Sequence, residues 1–151
     1  MHRRKLRKLI DGEAVQAAIR RAEAGTTGEI RVSVSTFFWG EVRKTAEMAF
    51  QRLGMSATAH RNGVLIFVVP SRKKFVILGD EGLHQKVGQE FWDGVAAAIS
   101  ERFKKGDFTG GLVHGIEEAG RRLTLHFPLE GHRDGNELPD EVDFGGEPPE
   151  A

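Results

Sequence analysis

Cysteine is absent from this 151-residue chain. Disulfides, thiolate metal sites and cysteine nucleophiles are therefore excluded. No run of about 18 apolar residues is present to span a membrane. The basic start, residues 2–8, has no apolar stretch behind it, because Arg7 and Lys8 interrupt Leu6, Leu9 and Ile10. No signal peptide is expected, and a cytoplasmic protein with no membrane partner is the default reading. A Gly-x-Ser-x-Gly elbow, a P-loop and a His-Glu-x-x-His pair are also missing, so neither a serine nucleophile nor a zinc site is expected. Few aromatics accompany the basic residues, which argues against a stacking platform for nucleic acid.

What is present fits one folded domain. Apolar residues make up 39% and charged residues 29%, and 22 basic residues balance 22 acidic ones. The balance is uneven along the chain. Residues 1–10 read as a basic N-terminal extension, and residues 129–151 as an acidic tail rich in glycine and proline. Within the tail, Leu138, Val142 and Phe144 recur at even spacing, so 138–144 is expected to dock on the domain formed by residues 11–128.

The central feature is Gly63 to Gly79. Two β-branched-rich apolar runs flank Pro70-Ser71-Arg72-Lys73, the pattern of a β-hairpin inside a core. Ahead of it, Asp11 reads as the N-cap of a helix carrying Val15, Ala18 and Ile19. Glu29 to Thr36 then alternates as a half-buried strand, and a further helix ends at Gly54. After it, a short turn of helix starts near Leu83. Two longer helices follow, carrying Phe91 to Phe103 and Leu112 to Leu123. Strand, helix and strand over 29–69 allow a parallel crossover, and the hairpin adds an antiparallel third strand. The expected fold class is α/β, a three-layer α/β/α sandwich around a small mixed β-sheet.

That topology has a functional consequence. The end of the third strand should meet the beginnings of the other two, so Thr27, Glu29, Asn62, Asp80 and Glu81 should share one rim, with Asp107 as a further member. Carboxylates with an amide oxygen on loops suit a hard divalent cation, Ca²⁺ or Mg²⁺. The same residues have a plainer use, with Asp80 and Asp107 as helix N-caps and Glu29 as an ordinary strand-end residue. Both readings stand at this point. Phe37-Phe38-Trp39 likewise reads either as core closing the sheet or as a partner surface.

Several segments together resemble the TPM domain. They are Thr27-Gly28-Glu29-Ile30-Arg31-Val32, Leu53-Gly54-Met55, Arg61-Asn62-Gly63-Val64-Leu65-Ile66 and Ile77-Leu78-Gly79-Asp80. Phe103-Lys104-Lys105-Gly106-Asp107-Phe108, Gly111-Leu112 and Gly115-Ile116 complete the set, which covers roughly residues 12–128. Gly82, Phe91-Trp92 and Asn136-Glu137-Leu138-Pro139-Asp140-Glu141 are similar to the bacterial stand-alone type, which lacks a membrane anchor. The resemblance implies an α/β/α sandwich and a divalent-metal-binding acidic rim, with Asp80 and Asp107 the closest matches to its acidic positions. The family carries a phosphatase label from one plant branch. Two functions follow as expectations. The preferred one is a non-catalytic binding or interaction module for a protein partner. The alternative is a metal-assisted phosphatase acting on phosphate esters, with Asp80, Glu81 and Asp107 as ligands and one carboxylate as general base.

Overall fold

A computed structural model describes residues 3–36, 40–129 and 138–145. Six helices and three strands follow in the order α1 (Arg3–Leu9), α2 (Gly12–Glu23), β1 (Glu29–Val34), α3 (Val42–Arg52), β2 (Gly63–Val69), β3 (Lys74–Gly79), α4 (Glu81–His84), α5 (Gln89–Phe103) and α6 (Phe108–His126). A 3-10 turn over Pro70–Arg72 joins β2 to β3 and ends on Lys73 in the left-handed region. Among the described residues, no helix is long and apolar enough to cross a membrane.

The sheet order is β1-β2-β3. β1 pairs parallel with β2, Glu29 opposite Gly63 through Val34 opposite Val68. β3 returns antiparallel, Val64 opposite Gly79 through Val69 opposite Lys74. As the middle strand with both faces covered, β2 is buried at all seven positions, which is why its sequence is a continuous apolar run. The period of two along the strands divides the core into two clusters. Val64, Ile66 and Val68 join Ile30, Val32 and Val34 beneath α1, α2, α5 and α6. Leu65, Phe67 and Val69 face α3 and Leu138 on the other side. The result is the expected α/β/α layering.

Local chemistry places the helices. Asp11 caps α2, its carboxylate accepting from the amides of Glu13 (3.1 Å) and Ala14 (3.2 Å). α2 lies close against α6 at Gly120, where a Cβ would stand 2.5 Å from Cβ of Ala22. The basic segment at the start of the chain is more than a solvated extension. Arg3–Leu9 is helical, and Leu6 and Ile10 are fully buried in the larger cluster.

Residues 138–145 lie along the free edge of β1. The Val34 amide donates to the Asp143 carbonyl (2.7 Å), and the Asp143 amide donates to Val32 (2.9 Å), a parallel bridge. The Asp143 carboxylate accepts from Ser33 Oγ (2.7 Å) and Arg52 Nη2 (2.8 Å). Burial alone would raise its pKa. The Arg52 and Ser33 hydrogen bonds outweigh that and hold it below the ordinary carboxylate value. Leu138 is buried in the α3 cluster, and Phe144 lies under the Arg7 guanidinium at 4.9 Å. Phe37-Phe38-Trp39, Asn136 and Glu137 lie outside the described residues.

Candidate functional site

The pairings Glu29 with Gly63 and Val64 with Gly79 put the starts of β1 and β2 beside the end of β3. The Asp80 amide continues the ladder to the Gly63 carbonyl at 3.0 Å. Thr27, Glu29, Asn62, Asp80 and Glu81 therefore share one end of the sheet. The five are not joined in one cluster of contacts, and each has its own environment.

Asp80 is the most constrained. It is 5% exposed, and its carboxylate accepts four hydrogen bonds. Arg61 supplies two, Nε to Oδ2 at 2.6 Å and Nη2 to Oδ1 at 2.9 Å. Ser56 Oγ (3.2 Å) and the Glu81 amide (2.9 Å) supply the others. The last of these makes Asp80 the N-cap of α4, so the capping reading is correct as far as it goes. A bidentate guanidinium is more than a cap. Burial pushes the Asp80 pKa upward, yet the Arg61, Glu81 and Ser56 hydrogen bonds prevail and keep it below the usual carboxylate range. The same pair raises the pKa of Arg61.

Glu81 stands outside Asp80, with its carboxylate 3.5 Å from Arg61 Nη1 and its side chain 67% exposed. Glu29 is fully buried at the start of β1, where Oε1 accepts from the Leu138 amide at 3.1 Å. A strand-end glutamate thus holds the tail segment. Asn62 is also fully buried. Its Nδ2 donates to Thr27 Oγ1 at 3.1 Å, and its amide donates to Thr58 Oγ1 at 3.3 Å. Asn62 Oδ1 is buried with no hydrogen-bond donor among the described residues. Such a group is uncommon in a folded interior and marks a place where a further partner is called for.

Asp107 does not join the rim. Phe108 packs on Phe103 and Phe103 on Phe75, and Phe75 pairs with Val68 near the hairpin turn. The α5–α6 corner therefore sits at the opposite end of the sheet from Asp80. There Asp107 caps α6, its Oδ1 accepting from the Gly110 amide at 2.9 Å. The expectation that it converges with the other acids is corrected by the direction of α6. That helix runs its full 19 residues back toward the rim before Thr26 meets Pro128. Among the described residues, no three His, Asp or Glu side chains are gathered tightly enough to hold an ion as they stand.

Sequence reasoning missed Arg61 as a site residue. Its signal was its place directly before Asn62-Gly63, in a loop that the hairpin aims at the rim. Arg61 has φ +51, a left-handed conformation uncommon outside glycine. Its carbonyl accepts from the Leu83 amide at 3.2 Å, so both its backbone and its side chain bind the first turn of α4. Gly82 makes this approach possible. A Cβ there would collide with the His60 carbonyl and stand 2.8 Å from that of Arg61.

Comparison with known proteins places this geometry. The TPM domain profile matches residues 9–122. The BA42 protein of the psychrophilic bacterium Bizionia argentinensis, solved by NMR, superimposes with a TM-score of 0.83 at 42% identity, covering 89% of this chain and 92% of that one. The N-terminal domain of cg2496 from Corynebacterium glutamicum has a TM-score of 0.60 at 20% identity, covering 82% and 80% respectively, and shares the fold alone. No curated protein matches the chain. With its profile spanning most of the chain and a solved relative at 42% identity, the chain belongs to the TPM domain family.

Proposed function

We propose that this chain is a non-catalytic binding module whose acidic rim takes a hard divalent cation, Ca²⁺ or Mg²⁺. The observation that carries the reading is the pairing at Asp80. A buried carboxylate and its neighbour Glu81 already share one positive group, Arg61, at 2.6 and 3.5 Å. The end of β3 is thus a place where positive charge is held. The donor chemistry fits the ion, since carboxylate, amide and hydroxyl oxygens are what Ca²⁺ and Mg²⁺ prefer. Asp80 and Glu81 would hold it, and Asn62 Oδ1 is a buried oxygen available to join them. Glu29 would contribute charge from β1, on the far side of β2, and Thr27 would orient Asn62. Asp107 has no part in this site.

The test is a Ca²⁺ and Mg²⁺ titration followed by amide shifts and thermal melting, against sodium chloride at matched ionic strength. Shifts are expected at residues 27–29, 60–63 and 79–83, and none at 106–109. Cation at a hundred times its dissociation constant should add about 2.7 kcal/mol of stability. Shifts spread over the whole surface would indicate screening alone and defeat the reading.

One observation favours a phosphatase instead. Arg61 puts a guanidinium, a good hydrogen-bond donor to phosphate oxygens, beside the same carboxylates. Phosphate-ester turnover that requires Mg²⁺ or Mn²⁺ and disappears in Asp80→Ala, but not in Asp107→Ala, would establish catalysis over binding.

A further inference from the structure

A metal ion that takes both oxygens of Asp80 must compete with the Arg61 guanidinium already bound to them. We propose that Arg61 is an internal latch on the rim: its guanidinium occupies Asp80 and Glu81, and a divalent cation enters by displacing it. This inference rests on the cation-binding reading and adds how that site is regulated.

The geometry makes the exchange one-sided. Asp80 is 5% exposed and tied to Ser56 and to the start of α4, so it stays in place. The Arg61 side chain is 42% exposed and open to solvent on one side. The guanidinium can turn out into solvent, and the incoming cation then takes over the charge of the buried Asp80 carboxylate. Its fork takes both Asp80 oxygens at once, at 2.6 and 2.9 Å, which are the oxygens a cation would need. The backbone stays fixed while the side chain moves. Arg61 keeps φ +51 and its carbonyl bond to Leu83, and the His60–Arg61 carbonyls rest on the bare Cα of Gly82. The latch therefore swings on its side-chain torsions, with α4 as its mount.

An ion that must first expel a competitor binds with its affinity reduced by the fraction of open sites, so a latch closed about nine-tenths of the time weakens it about tenfold. Arg61→Gln and Arg61→Lys should each bind Ca²⁺ roughly tenfold more tightly than the natural protein by calorimetry. The lysine variant decides the mechanism. It keeps the charge but loses the two-pronged grip, so mere repulsion of the ion predicts no gain from it. A second measurement needs no variant. The Arg61 Nε–H resonance, held on Asp80 in the free protein, should move to its solvent-exposed position as Ca²⁺ saturates.

A cation response that appears only in the variants also supports the latch. Natural-protein shifts at 60–63 and 79–83, with both variants within twofold and Nε–H unmoved, would overturn the latch and leave the cation site standing. A gain in Arg61→Gln without one in Arg61→Lys would likewise overturn it. No localised response in any of the three proteins would overturn the cation reading, and the latch with it.

Discussion

Truncating Leu138 to alanine tests whether the tail segment is a structural part of the domain. Leu138 is 6% exposed and belongs to the cluster with Val42, Ala46, Met55, Leu65 and Phe67. One of its methyl carbons stands 3.8 Å from where a Cβ on Gly63 would be, in the middle of the site end of the sheet. Leu138→Ala removes three buried carbons at about 0.8 kcal/mol each. The segment lies at the edge of the fold and can settle inward, so the added cavity term is small and the expected cost is about 2–3 kcal/mol. For a chain of this size that lowers the melting temperature by roughly 5–10 °C. Urea titration gives the free energy directly, and its slope reports whether the segment remains bound, because a detached tail buries less surface. The backbone bond from residue 138 to Glu29 survives the substitution, so the native slope should be kept. A melting shift below about 1 °C would refute the packing argument, given the 2–4 °C expected per kcal/mol. So would unprotected amides at Val34 and Asp143 in hydrogen exchange of the natural protein.

Two further outcomes follow from the same structure. The Asp143 pKa is depressed in the fold, so its contribution is present above the ordinary aspartate value near ~3.9 and is lost as pH falls through the folded value. Asp143→Asn should be less stable than the natural protein at pH 7, and melting scans in increasing acid should show that difference closing; a difference that grows in acid would contradict the assignment. Gly120→Ala places a Cβ 2.5 Å from Cβ and 2.8 Å from Cα of Ala22, a backbone approach that no rotamer relieves. It should cost about 1–3 kcal/mol by chemical denaturation, and a neutral result would mean that α2 and α6 have room to separate.

Local periodicity was enough to read every element of this chain except α1, because helices and strands are set largely by local chemistry. The apolar run in 64–69, the turn at 70–73 and the caps Asp11, Asp80 and Asp107 are all visible as sequence. From strand order alone came the rim of Thr27, Glu29, Asn62, Asp80 and Glu81, since a parallel pair with an antiparallel third strand leaves two beginnings and one end together. Membership of the TPM family was legible from the same segments. Tertiary structure decided what no period encodes. The direction in which α5 turns into α6 carries Asp107 to the far end of the sheet. Arg61 reaches Asp80 across 19 positions of sequence, by a left-handed backbone that the residue type does not advertise. Leu6 and Ile10 enter the core from a segment whose charges suggest solvent, and Asp143 pairs with Ser33 over 110 positions. These contacts join residues that local chemistry does not relate. They depend on how finished elements pack, and a buried carboxylate takes whichever cation that packing brings within reach.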